Sequence, residues 1–267
     1  MISIVTSLYK SDRYLKSYSN HLLSFANFLQ NRDFAFELIA IANDPSEQEL
    51  AFGKEFSKQP WFSFVPVGRE TLYATWNRGV ALAKGEIVGF WNTDDKRFPD
   101  SLIEAQELVD LGAELVYFPF KVCRYIKIFG RYFLVHKQRI DKKLPVYDKQ
   151  TRKEFLRSMV VGPFFLFTKD LYRKVGPFDE QFKAAGDFDW QIRAAKISDK
   201  FVRGKILAGE FRVDGGGLTA GVNHMLVAEN NVIYTRYYVP EKIKPVDKSF
   251  MEKYNSDQII FKLDSNK

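Results

Sequence analysis

Short apolar runs bounded by turn residues alternate along this chain with longer stretches of helical period. Ile2-Ser3-Ile4-Val5-Thr6 reads as a first strand, and apolar residues at helical spacing follow from Tyr14 to Leu29. Glu37–Ala42 reads as a second strand, closed by Asn43-Asp44-Pro45-Ser46 and followed by a helix to Phe56. A short strand at Phe62–Val65 and a helix over Leu72–Ala83 lead into Ile87-Val88-Gly89-Phe90-Trp91, a buried strand. Pro99–Leu111 is a helix closed by Gly112, and Glu114–Phe118 is a further strand. Strands alternating with helices predict a mostly parallel sheet flanked by helices, an α/β fold. The second half is less regular. It predicts a hairpin from Phe120 to Val135 turning at Gly130, a strand over Val160–Phe167, a short helix over Asp170–Lys174 and a helix beginning near Asp187. No repeat or low-complexity linker interrupts the chain, so one domain is expected over residues 1–238, with an appendage over 239–267.

Composition narrows the class. The 267 residues are 46% hydrophobic and 27% charged, ordinary for a globular protein with a sizeable core. Aromatic residues reach 16%, with 25 Phe, which points to aromatic-lined surfaces as well as a packed core. The single cysteine, Cys123, excludes an intrachain disulfide and any zinc site of several thiolates. No basic region with a long apolar stretch precedes the first strand, and no run of apolar residues is long enough to span a bilayer. A cytoplasmic protein is therefore expected.

The charge is concentrated. Between Phe120 and Gln150, nine basic residues stand against Asp141 and Asp148 only, an excess equal to the whole net charge of +7. Tyr125, Ile126, Ile128, Phe129, Tyr132, Phe133 and Leu134 are interleaved with those cations. Such a mixture suits a membrane surface, an anionic acceptor or nucleic acid, and equally an ordinary hairpin with one charged side in water. The tail from Pro240, with Lys242, Lys244, Lys248 and Lys253, is expected to be a partly helical appendage that packs on the domain or touches a membrane.

Candidate chemistry lies at the ends of apolar runs. The strand ending at Trp91 stops in Asn92-Thr93-Asp94-Asp95. In α/β sheets the carboxyl ends of the strands are where ligands bind. Crowded carboxylates there oppose each other's ionisation unless they meet a cation, and Mg²⁺ or Mn²⁺ held with substrate phosphates would serve; a solvated turn has the same sequence. Asp187, at the start of a helical stretch, is either an N-cap or a general base presented to a substrate hydroxyl. Arg212-Val213-Asp214-Gly215-Gly216-Gly217 is either a glycine-rich turn or a phosphate-binding lid. His21, His136 and His224 are too scattered for a zinc site, and there is neither a nucleophile elbow nor a phosphate loop.

Together these blocks resemble the inverting family 2 glycosyltransferases with a GT-A (nucleotide-diphospho-sugar transferase) fold, from Ile2 to about Tyr238. Ser3-Ile4-Val5-Thr6-Ser7-Leu8-Tyr9 looks like the family's first strand and donor-contacting turn. Asn43-Asp44-Pro45-Ser46 is similar to its Asp-Asp-Gly-Ser segment, with Asn for the first Asp and Pro for Gly. Trp76-Asn77-Arg78-Gly79 and Ala83-Lys84-Gly85-Glu86 match a block before the metal motif. Asn92-Thr93-Asp94 stands where the family has Asp-x-Asp, and Gly186-Asp187 where it often has Glu-Asp.

The resemblance implies a metal-dependent, inverting hexosyltransferase. It assigns Thr6, Ser7, Tyr9, Asn43, Asp44, Asn77, Arg78, Asn92 and Asp94 to the nucleotide-sugar donor, expected to be a UDP-sugar. Asp94 would hold Mn²⁺ or Mg²⁺ and Asp187 would be the base, with Asp189 its rival. Asp189 and Trp190 would face the acceptor, a glycan or lipid-linked hydroxyl, and Trp91 and Trp190 are either sugar platforms or core. Asp214 could replace the metal-contacting His that the family often carries. The nucleotide-sugar-binding half would be 1–119, the basic insertion 120–150 and the acceptor half 151–238, with peripheral contact at the inner membrane face. No nucleic acid partner is expected. A nucleotidyltransferase-like enzyme and a non-catalytic carbohydrate-binding module remain the alternatives, although the first lacks a glycine in Leu8-Tyr9-Lys10-Ser11-Asp12.

Overall fold

The computed structural model describes residues 1–141, 145–215 and 224–246. The chain runs β1 (Ile2–Leu8), α1 (Asp12–Gln30), β2 (Phe36–Asn43), α2 (Glu47–Phe56), β3 (Phe62–Val67), α3 (Leu72–Leu82), β4 (Ile87–Phe90) and β5 (Lys96–Arg97). It continues through α4 (Asp100–Asp110), β6 (Leu115–Tyr117), β7 (Phe120–Ile128), β8 (Arg131–Ile140), α5 (Arg152–Phe155) and β9 (Leu166–Thr168). α6 (Lys169–Val175), α7 (Gly186–Ile197), β10 (Phe201–Arg203), β11 (Gly209–Val213) and α8 (His224–Arg236) complete it.

Seven strands make the main sheet, in the order β10-β6-β9-β4-β1-β2-β3. All neighbours are parallel except β9, which runs antiparallel to both β4 and β6. Both faces are covered, so β1 and β2 are buried along their length and read as continuous apolar runs. In β2, Leu38, Ala40 and Ala42 pack with α1, α2 and α4, while Ile39 and Ile41 pack with α3, α6 and α7. The predicted α/β fold is therefore the observed one.

Two elements differ from expectation. Of the run Val160–Phe167, only Leu166 and Phe167 enter a ladder. The backbone N–H groups of Val160 and Val161 donate instead to Gln191 Oε1 of α7, at 2.8 and 3.0 Å. Burial alone produced the apolar run there. The hairpin is longer than expected, reaching Ile140, and belongs to a second sheet of order β5-β11-β7-β8. Its partner β11 is the start of the presumed glycine-rich turn; Gly216, Gly217, the lysines at 142, 143, 248 and 253, and all of 247–267 lie outside the described residues. Among the described residues, no helix is long and apolar enough to cross a membrane.

Candidate active site

The carboxyl ends of β1, β2 and β4 are laced together by small polar side chains. Ser11, before α1, accepts the Tyr9 backbone N–H at 3.1 Å and lies 3.2 Å from the Thr93 hydroxyl. Its own N–H donates to Glu49 Oε1 at 2.8 Å, and Glu49 Oε2 accepts the N–H of Ser46 at 2.9 Å. Glu49 is fully buried and closes the capping box of α2. One carboxylate thus fixes the turns after β1 and β2 relative to the turn after β4.

Asp94 is half-buried on that edge. Burial raises its carboxyl above the ordinary range, and the Asp214 charge adds to this against the charges of Arg212 and Arg13. Asp214 accepts from Tyr14 Oη at 2.9 Å and Arg212 Nε at 2.9 Å, with Arg13 Nη2 at 3.5 Å. Asp95 is buried beside them and accepts the Arg212 backbone N–H at 2.8 Å. Its carboxyl is held well above the ordinary range by burial and the Asp94 charge, while the Asn92 amide and Arg212 oppose that shift. Asn92 therefore serves Asp95. An Asp at 92 would put another carboxylate against a buried one. Asp94 also borders a cavity of about 310 Å³ whose other walls include Tyr14, Tyr125, Tyr132, Glu210 and Arg212; Asp187 does not line it.

Asp94 and Asp214 are hard oxygen donors of the kind that Mg²⁺ and Mn²⁺ take. Among the described residues no group of three or more His, Cys, Asp or Glu could hold a metal. The Asp214 side chain is 1% exposed and already accepts from Tyr14, Arg212 and Arg13. Of the two, only Asp94 is open to a cation, which a diphosphate and not an all-protein cage would complete.

Asp187 is the second residue of α7, whose N-cap is Ala185, so the capping alternative fails. Its Oδ1 accepts the Phe188 N–H at 2.8 Å and the Tyr73 hydroxyl at 3.2 Å. Tyr73 lies in the first turn of α3, after β3, so Asp187 stands on the same carboxyl edge of the sheet as Asp94. Burial raises the carboxyl from 3.8 to about 6 against those two hydrogen bonds, and the charge of Glu229 adds to the rise. A Cβ at Gly186 would lie 2.7 Å from the Tyr73 ring. Glycine at 186 is what lets this ring reach Asp187.

Glu229, on α8, was not singled out from the sequence. It is buried and accepts the backbone N–H groups of Lys183, Ala184 and Ala185 at 2.7 to 2.8 Å, fixing the segment that enters α7. It supplies from a distant helix the neighbouring carboxylate that position 186 lacks. Arg69, also unforeseen, sits 3.7 Å above the Tyr9 ring and reaches Asn43 Oδ1 at 3.4 Å, adding a cation at the end of β1 and β2.

Other expectations need correction. Thr6 is buried, with its hydroxyl 2.8 Å from that of Tyr18 beneath the sheet. Asn43 is buried and brackets Glu70, accepting its N–H at 3.0 Å and donating to its carbonyl. Asn77 likewise clamps Phe178, accepting its N–H at 2.9 Å and donating to its carbonyl at 2.9 Å. These three side chains build the turns and do not present themselves to a donor. Arg78 spends its guanidinium on Glu70, at 2.8 and 3.2 Å. Asp189 is sealed between Arg193, Arg236 and Tyr237, and Trp190 is in the core, so neither faces an acceptor. Trp91 is also core, packed on Phe25 and Tyr18. Ser7 and Tyr9 are half-buried at the end of β1, and Asp44 is exposed with φ of 51°, a conformation Asp tolerates.

No family description matches the chain, and no curated protein matches it in sequence. Solved structures do match in shape. TarS 1–349 of S. aureus in complex with UDP-GlcNAc superposes with a TM-score of 0.66 at 15% identity, over 87% of this chain and 66% of that one. The mannosyltransferase PcManGT from Pyrobaculum calidifontis, in complex with GDP-Man and Mn²⁺, gives 0.57 at 12% identity, over 93% of this chain and 66% of that one. This chain thus spans just under two thirds of those crystallised lengths. Its parallel sheet with one antiparallel insertion, flanked by helices, is the GT-A glycosyltransferase fold.

Proposed function

We propose that this chain transfers a sugar from a nucleotide-diphosphate donor, a UDP-sugar, to a hydroxyl of a glycan or lipid-linked acceptor with inversion at the anomeric carbon. The observation that carries this is Asp187, a carboxylate poised near pH 6 on the same edge of the sheet as Asp94. Ser7, Tyr9, Asp44 and Arg69 bind the nucleoside end of the donor. Asp94 would hold a divalent cation. When bound, that cation neutralises the leaving diphosphate as a Lewis acid. Asp187 takes the proton of the acceptor hydroxyl, whose oxygen attacks the face opposite the phosphate. Direct displacement from that face inverts the centre. Burial supports the base role, because a carboxylate lifted towards working pH is a stronger proton acceptor and is still ionised there.

Donor binding is read by thermal stability against UDP, GDP, CDP and dTDP, each with and without Mn²⁺. UDP with Mn²⁺ should raise the melting temperature, by the equivalent of about 2.7 kcal/mol at a hundredfold excess over its dissociation constant. Asp94→Asn should remove the Mn²⁺-dependent part. A transition that none of the four nucleotides moves would reject the donor site and favour the binding-module alternative.

The pH profile tests the base. kcat/KM should rise with pH through about 6, as the Asp187 proton leaves. Tyr73→Phe removes a hydrogen bond to the ionised form and should move that limb to higher pH, whereas Glu229→Gln removes a neighbouring negative charge and should move it lower. Shifts in the same direction, or none, would show that another group sets the limb.

A further inference from the structure

The β7–β8 hairpin carries two different faces. Side chains of paired residues point the same way, so Tyr125, Lys127 and Tyr132 share one face, and Ile126, Ile128 and Phe133 share the other. The first face leans on the body of the protein. Arg13 Nη1 donates to Tyr132 Oη at 2.7 Å, and the Arg212 guanidinium stacks 4.0 Å from the Tyr125 ring centre. The second face is uncovered: Ile126, Ile128 and Phe133 are 45, 43 and 49% exposed, and Phe129 at the tip is 102% exposed.

Charge follows the same geometry. From Phe120 to Ile140 there are six cations and no carboxylate. Of those at the root, Lys137 pairs with Glu210 and Arg139 with Asp141. Arg124, Lys127 and Arg131, towards the tip, form no ion pair with the described residues. The turn is informative as well. Phe129 holds φ of 47° ahead of Gly130, where Asn or Asp would be the stable choice. A Phe there gives up turn stability and leaves a whole ring in water; burial of the ring in a partner offsets both.

We propose that the tip and outer face of this hairpin dock the protein on an anionic lipid surface. Ile126, Ile128, Phe129 and Phe133 enter the boundary between headgroups and acyl chains, and Arg124 and Arg131, on the same face, pair with lipid phosphates. A bilayer is the occupant the shape favours. The feature is a convex tip and not a groove. Its apolar groups, Ile126, Ile128, Phe129 and Phe133, have no amide or hydroxyl among them with which to read a nucleic acid, His136 and Gln138 lying nearer the root. Lipid docking deepens the transfer reading by placing the acceptor at the membrane. Because docking is measured without donor or acceptor, failure of either leaves the other standing.

The test is co-sedimentation of the full chain with vesicles of phosphatidylcholine alone and of phosphatidylcholine mixed with phosphatidylglycerol, at low and physiological salt. Binding is expected only to the mixed vesicles, falling steeply as salt rises. Phe129→Ala should weaken it about tenfold, and combined Arg124→Gln and Arg131→Gln about thirtyfold. All these variants should keep the parent melting temperature, which separates lost docking from lost folding. Equal binding to both vesicle types, no binding to either, indifference to these substitutions, or preference for a nucleic acid duplex over the mixed vesicles would each overturn the proposal.

Discussion

Asp187→Asn should fold normally and lose transfer by about a hundred- to ten-thousandfold, the usual worth of a positioned general base. The amide keeps an oxygen for the Phe188 N–H and the Tyr73 hydroxyl, so the geometry around α7 survives. Stability should move the other way from activity. The folded value of about 6 lies above the ordinary 3.8. What this carboxyl contributes to stability is therefore present below about pH 4 and lost as pH rises through about 6. Above that, the native state holds an ionised group partly out of water, and the Asn variant should exceed the parent by about 1–3 kcal/mol. Near pH 4 the two should melt together. A variant that turns over normally would remove Asp187 from the chemistry, whatever its stability.

Asp189→Ala should do the reverse. This carboxylate is fully buried and joins Arg193 at 2.9 Å, Arg236 at 2.7 Å and the Tyr237 hydroxyl at 2.9 Å, tying α7 to the end of α8. Removing it takes the buried member out of this charge network, at about 3–5 kcal/mol. A domain of this size should then melt roughly 6–20 °C lower. At a temperature where the variant is still folded, KM for the acceptor should be unchanged. A raised KM with unaltered melting would restore Asp189 to the acceptor site.

Carboxylates at the ends of apolar runs were legible in the sequence. Asp94 and Asp187 stand out because burying such a group next to a strand or helix end is unfavourable without a use. Amides were not. Asn43 and Asn77 occupy positions that suit a donor contact, yet the same side chain brackets a loop equally well, and only the fold shows that backbone groups of Glu70 and Phe178 have claimed them. Trp91 and Trp190 were open for the same reason, since a large ring serves a core as well as a sugar. Glu229 was illegible because its partners, the N–H groups of residues 183–185, lie on a distant segment, and an acidic residue in a helix ordinarily faces water. The strands and helices of the first half were read from period alone, because both faces of their sheet are covered.

The antiparallel strand β9 has a consequence for how the chain comes into being. It separates β4 from β6, so the sheet begun by the first 117 residues stays split until Leu166–Thr168 arrives. On the ribosome, the growing polypeptide holds two open strand edges through the whole synthesis of the basic hairpin. Neither the portion ending at residue 119 nor one ending at 150 is a self-sufficient unit. Expressed alone, either should expose the flanks of β4 and β6 and accumulate as aggregate. The two candidate site regions, around Asp94 and Asp187, are thus assembled in one cooperative event that waits for β9.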